Sequence, residues 1–448
     1  MYTFSNKLKT FSIALMILGL LGVGYGFMTS HKSFEDVETM LAEEASHHGE
    51  DHAVAGVSEH SDNGHETKAQ DASAQVDEHT KHVEHVQHQI ANRPWSALYV
   101  AAFFFFMIAI GVLSFYAIQI ASQSGWSPVL FRVMEGLSAY VLPGGVIVLA
   151  IALASGIIGD YNLFVWMNPD VVADDKLLQG KASWLSIGWF AVRGVIFIAG
   201  WSLYSYFARK FSKANDTATD NSYFKKAFRI SAGFLVFFIY TESIMSWDWI
   251  MSIDPHWFST LFGWYVWAGM AVTGITVIAF VALYLKSKGY LEVVNDSHIH
   301  DLAKYMFGFS IFWAYLWFSQ FMLIWYANIP EEVTYFITRV EDYNLLFFGM
   351  LVLNFVFPFL VLMNSDYKRL PWFVAMSGVI VLIGHYINVY VMIMPGTVGD
   401  RWGFGIPEIG SVMLFLGLFL FIVFTVLTKA PLVVKRNPFL KESEHFHY

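Results

Sequence analysis

Ten apolar runs, each about long enough to cross a bilayer, limit what this chain can fold into. They occupy residues 8–28, 95–120, 131–158, 184–207, 228–251, 260–285, 302–327, 344–363, 372–394 and 409–428. About 20 helical residues cover the ~30 Å of hydrocarbon in a membrane. Lipid offers no partner to an unpaired backbone group, so a spanning segment is a helix or part of a closed barrel. Runs such as AAFFFFMIAIGVL at 101–113 are continuous rather than alternating, which excludes the barrel. The expectation is an all-α polytopic membrane protein with ten transmembrane helices. The composition agrees, with 56% hydrophobic and 14% charged residues, against about a quarter charged in soluble domains. Cysteine is absent, which excludes disulfides, thiolate zinc sites, cysteine-ligated iron–sulfur clusters and covalently attached c-type haem.

The net charge of −9 belongs to one segment. Residues 29–94 hold 14 Asp and Glu against 4 Lys and Arg, while the remainder is nearly neutral. Nothing in this pattern suggests nucleic-acid binding. The positive-inside bias sets the orientation. With the N-terminus in the cytoplasm, 18 Lys and Arg fall on the cytoplasmic side and 8 on the other, and Arg193 lies within a span. Ten spans with both termini inside are consistent with this. The first run, preceded by Lys7 and Lys9, reads as a retained anchor because no A-x-A-like site follows closely. Segment 29–94 is then extracytoplasmic. It carries ten of the sixteen histidines, with His79, His82, His85 and His88 spaced by three. On a helix these form a drifting stripe, a weak candidate for a transition metal; otherwise the segment is a solvated, acidic, partly disordered arm, or one that docks on a basic partner.

An ionisable group deep in a span usually has a partner or a job. Arg193 in the fourth span and Glu242 in the fifth stand at similar distances from the outer ends of adjacent antiparallel helices, so an Arg193–Glu242 ion pair is expected. That pair is either a structural lock or the gate of a proton-carrying carboxylate. Asp248 lies six residues beyond Glu242, about 240° around the helix, so the two acids do not share a face. Glu135 follows Arg132 by three residues and is either a local surface pair or a proton entry point. Roughly 15 Å of helix separates it from the depth of Glu242, to be bridged by Ser138, Tyr140, Tyr204 and water. The second half offers His385, Asn354 and Gln320. His385 is expected to be a neutral imidazole bonded to Asn354 or Asn388, or else a proton relay. As the single deep histidine it cannot form a bis-histidine haem site. Trp247, Trp249, Trp257, Trp264 and Trp402 read as an interfacial aromatic belt, with a quinone-head pocket as the minority reading. Pro143–Gly144–Gly145 interrupts the third span, with no counterpart evident in the second half.

Three stretches are more specific: SWDWIMSIDPHWFSTLFGWYVW at 246–267, FMLIWYANIPEEVTYF at 321–336 and NFVFPFLVLMNSDYKR at 354–369. Together they resemble the polysulfide-reductase-type (NrfD/PsrC-like) membrane subunits, in the branch found in bacterial alternative complex III, and there the smaller of two such subunits. The resemblance covers the second to tenth spans and is weak over the first span and the His-rich segment. It implies two four-helix bundles, 95–251 and 260–394, flanked by the anchor 1–28 with segment 29–94 on one side and by a final helix at 409–428 with a cytoplasmic tail at 429–448 on the other. It further implies membership of a respiratory quinol:cytochrome c oxidoreductase. The expected partners are a homologous quinol-binding membrane subunit, an iron–sulfur subunit, multihaem and monohaem cytochrome c subunits, and membrane lipid. The metal centres would lie on those partners, with quinol or menaquinol and phospholipids as the small molecules near this chain.

The expected role is then a subunit without a redox centre, not catalytic alone, that supplies a proton pathway or conformational coupling through Glu135, Arg193, Glu242, Asp248 and His385. The competing readings are a quinol-binding or quinol-oxidising subunit, a secondary proton or ion transporter, and a purely structural scaffold.

Overall fold

The computed structural model describes residues 2–48, 67–158 and 162–447. Among them there is no strand, and ten helical stretches are long and apolar enough to cross a membrane. α1 (Asn6–Ser30) is the first of these, and α2 (Phe34–His48) is a short polar helix after it. α3 (Thr67–Ala121) carries the second span at its C-terminal end. α4 (Phe131–Leu137) and α5 (Val141–Ile157) form the third span. The short helices α6 (Pro169–Asp174) and α7 (Lys176–Lys181) lead into α8 (Ile187–Asn215) and α9 (Ser222–Trp249). α10 (Phe262–Ser287) and α11 (Asp296–Ala327) open the second half. After α12 (Pro330–Glu341), α13 (Asn344–Leu351) and α14 (Phe357–Leu362) together make the eighth span. α15 (Pro371–Val398), α16 (Ile406–Leu427) and the short α17 (Leu440–Glu444) complete the chain.

The spans form two four-helix bundles, α3 to α9 and α10 to α15, with α1 and α16 paired beside them. The central elements are α3 and α10, one from each bundle. They are apolar on all sides and buried on nearly all sides, as expected of helices that face protein rather than lipid. Gly111 lets them touch: a Cβ there would collide with the Met270 carbonyl. α1 buries Ser12, Gly19, Val23, Gly26 and Ser30, one narrow stripe of mostly small residues, and leaves its leucines to the lipid. Gly19 meets the backbone of Gly410 and Leu414 on α16. In lipid such contact replaces the hydrophobic drive that is missing between helices.

Within the acidic segment expected to be a solvated, partly disordered arm, residues 34–48 and 67–94 are helical, and residues 49–66 lie outside the described residues. α3 continues outward past the span, and Val37 of α2 packs on Val83 and Val86 of α3, with Phe34, Met40, Leu41 and Ile90 around them. Those few apolar side chains suffice to hold a polar helical hairpin. The interruption at Pro143 also has a counterpart. Pro143 lacks an N–H for the Ala139 carbonyl, and the chain makes a 3₁₀ turn at Ser138–Tyr140 before α5. In the second half Pro358 does the same to the eighth span, where Val352–Val356 forms a π turn. The signal there was a single proline without glycines. The two breaks fall on helices of different rank within their bundles.

Placing leucine at Gly19 should wedge α1 away from α16. The expected cost is about 1–3 kcal/mol, read as a lowered Tm of the full chain in detergent.

Candidate functional site

Arg193 does not pair with Glu242. Its Nε donates to Asp248 Oδ2 at 2.5 Å and its Nη2 to Asp248 Oδ1 at 3.0 Å. Nη1 donates to the Trp184 carbonyl at 3.1 Å, the Trp184 indole N–H donates to Asp248 Oδ1 at 2.9 Å, and the guanidinium lies 4.2 Å from the Trp184 ring centroid. The reason is the lean of helical side chains toward their own N-terminus. α8 starts at the end of the bundle where α9 finishes, so Arg193 leans toward that end. α9 runs the opposite way, so Asp248 leans back toward the middle of the bundle to meet it, and Glu242 leans further away. The 240° offset then turns Glu242 to another face of α9.

Glu242 is buried, and no cation lies within ion-pairing distance among the described residues. Its carboxylate accepts from the hydroxyls of Ser246 at 3.0 Å and Ser243 at 3.4 Å, side chains of its own helix. It faces a mainly apolar cavity of about 250 Å³ between α3, α9 and α10, lined by Ser114, Ile118, Phe238, Trp264 and Trp267. Leu235 lines it too, and from Leu235 to Glu242 is about 10 Å of helix. The cavity therefore extends inward from Glu242 over most of the stretch that separates it from the depth of Glu135.

Glu135 pairs with Arg132 as expected, but the pair is buried. Arg132 Nη1 donates to Glu135 Oε2 at 2.8 Å and Nη2 to Asp216 Oδ2 at 2.6 Å, and the Tyr116 hydroxyl donates to Glu135 Oε1 at 3.0 Å. Ser138 lies one helical turn on, within 3.5 Å of the Ser205 hydroxyl, and both line a second cavity of about 450 Å³ toward the C-terminal end of α8, which Glu135 also borders. Tyr204 is bonded to Ser231 at 2.8 Å, and the Tyr140 hydroxyl is buried without a partner among the described residues. Neither Tyr140 nor Tyr204 lines the Glu242 cavity, so the bridge expected from Ser138, Tyr140 and Tyr204 is not formed by their side chains. The polar residues nearest that role are Tyr116 and Ser114 on α3. They stand two residues apart on opposite faces of the helix. Hydroxyls within a fully apolar run were the available signal.

In the second half, His385 bonds neither Asn354 nor Asn388. Its ring is fully buried, both nitrogens lack a hydrogen-bond partner among the described residues, and Trp313 meets it edge-on at 5.3 Å. Asn354, displaced by the π turn, lies against Gly384 instead, and Asn388 accepts from the Tyr265 hydroxyl. Gln320 borders a cavity of about 20 Å³, room for one water, with Tyr265, Asn388 and Arg339. Arg339, which the sequence placed in an outer loop, is buried there. It stacks 3.3 Å from the Tyr335 ring centroid and donates to the carbonyls of Tyr335, Val391 and Met392 at 2.7, 3.1 and 3.3 Å.

Trp249 and Trp257 belong to the interior rather than to a lipid-facing belt, and Trp257 stacks on Tyr335 at 3.8 Å. His79, His82 and His85 are exposed on α3, with His79 4.0 Å from Glu38 and His85 3.1 Å from Gln89. His88 is exposed as well. Among the described residues no group of three or more His, Cys, Asp or Glu is arranged to hold a metal.

No family model matches the chain, and no curated protein matches it. The resemblance to the polysulfide-reductase-type subunits rests on its three stretches of sequence.

Removing one partner of the Arg193–Asp248 pair strands a buried charge, whereas removing both does not. Asp248→Asn or Arg193→Gln alone should cost about 3 kcal/mol, and Arg193→Leu with Asp248→Leu distinctly less than the two single changes together. A double-mutant cycle of thermal stability in detergent checks this.

Proposed function

We propose that this chain is the proton-carrying membrane subunit of a respiratory quinol:cytochrome c oxidoreductase of the alternative complex III type. In this reading its termini lie in the cytoplasm of a bacterial cell, and the iron–sulfur and haem centres lie on partner chains. The observation that carries the reading is Glu242. A carboxylate buried in apolar surroundings without a cation is accommodated by binding a proton. Here two serine hydroxyls and a cavity give that proton a place to be exchanged.

Protons enter at Glu135 from the inner cavity, pass Tyr116, and reach the Glu242 cavity beside Ser114 through water on either side of α3. Asp248 and Arg193 form a closed outer barrier, because their charges are already satisfied by one another and by Trp184. Moving a charge against the membrane potential costs ~2.3 kcal/mol per 100 mV, so the barrier has to hold until quinol oxidation on the partner subunits supplies that free energy. His385 and Asn354 are the corresponding unpartnered polar groups of the second bundle.

One observation favours a second reading. The Glu242 cavity is apolar, aromatic and near the volume of a quinone ring, and Trp264 at its edge is half exposed toward lipid. In that reading Glu242 accepts a proton from quinol itself. Glu242→Gln in the intact complex, reconstituted into vesicles, separates the two. A proton carrier predicts turnover retained and protons translocated per electron reduced to those released by the chemistry. A quinol site predicts that turnover itself collapses. Unchanged turnover and unchanged stoichiometry overturn both. Tyr116→Phe should reduce the stoichiometry in the same assay while the complex still assembles.

A further inference from the structure

At the inner face, the cavity of about 450 Å³ between α5 and α8 gathers four cations, Arg209, Lys210, Lys213 and Lys429. None of them is in an ion pair among the described residues, and the one acid at the cavity, Glu135, is already taken by Arg132 and Tyr116. Two of the cations have a structural use: Arg209 Nη2 donates to the Val426 carbonyl at 3.0 Å and Lys213 Nζ to the Lys429 carbonyl at 3.2 Å, at the end of α16. A helix C-terminus offers about half a negative charge, which does not balance four positive ones. It also leaves most of their donors free. Arg209 Nε and the Ser202 hydroxyl are buried without hydrogen-bond partners among the described residues. The cavity wall is not wholly polar. Leu142 and Tyr206 line it and are more than half exposed, on the side where the spans meet lipid. From Ser202 to Lys213 is about 16 Å along α8, the reach from headgroup to upper acyl chain.

We propose that this cavity binds a phosphate-bearing anion, and that the source is an anionic phospholipid whose headgroup sits among Arg209, Lys210, Lys213 and Lys429 with its chains along Leu142 and Tyr206. Basic pockets between membrane helices recognise such headgroups. Bound phosphate also cancels the positive potential in front of Glu135. The site stands on its own geometry and does not depend on the proton-carrying reading.

The test uses the full chain purified in detergent and delipidated, then offered phosphatidylglycerol, phosphatidylcholine or inorganic phosphate. Bound lipid is counted by native mass spectrometry and stability is read as Tm. Phosphatidylglycerol should be retained and should raise Tm, while phosphatidylcholine should do neither. Lys210→Gln with Lys429→Gln, both exposed side chains, should lower phosphatidylglycerol retention about thirtyfold. Lys225→Gln with Lys226→Gln, lysines of the same face outside the cavity, should leave it unchanged. Equal retention of the two lipids, or equal loss in both double variants, overturns the site. The same rise in Tm from inorganic phosphate overturns the lipid as source.

Discussion

A helix that is enclosed on nearly every side within a membrane protein has little lipid to face, and the spans of α3 and α10 are such helices. Their burial lets two four-helix bundles share one interior, and it makes any polar atom on them a matter for the protein alone. Gly111 sets how closely they approach. With α3 held there, Tyr116 is brought to Glu135 on one side and Ser114 to the Glu242 cavity on the other. α9 then sorts its two acids by angle: Asp248 turns to α8 and its arginine, and Glu242 turns to the cavity.

The two halves repeat this plan with different chemistry. Each has an arginine stacked on an aromatic ring near the outer ends of its spans, Arg193 on Trp184 and Arg339 on Tyr335. In the first half the arginine meets the carboxylate of Asp248. In the second it meets the carbonyls of Val391 and Met392. Six residues inward from Asp248 stands Glu242, and six inward from Val391 stands His385. One half thus keeps a closed ion pair beside a lone acid, the other a capped helix beside a lone imidazole. The first arrangement has charge to move, which is why the functional reading centres on it.

The inner cavity joins two themes of the molecule. It borders Glu135, and four cations line it against that one acid. A proton approaching Glu135 meets four like charges, so an anion seated among them changes how accessible the acid is. The lipid at that position would be part of the electrostatics of the inner face and not only its surroundings.

The length and continuity of the apolar runs determined the ten spans and the helical form of each, because a backbone in lipid has a single way to satisfy itself along one segment. The Arg132–Glu135 pair was legible for a similar reason: residues three apart on a helix are neighbours whatever surrounds them. Which of two acids Arg193 would choose was decided only by tertiary structure. Depth counted from sequence omits the opposite lean of side chains on antiparallel helices, and that lean moves two partners by about a turn in opposite senses. His385 and Asn354 were misjudged because a π turn before Pro358 shifts the register of one helix. Within the acidic segment, the helices at 34–48 and 67–94 meet because Val37, Val83 and Val86 come together from places far apart in the chain. The cavities are properties of packing between helices, and no single helix carries a mark of them.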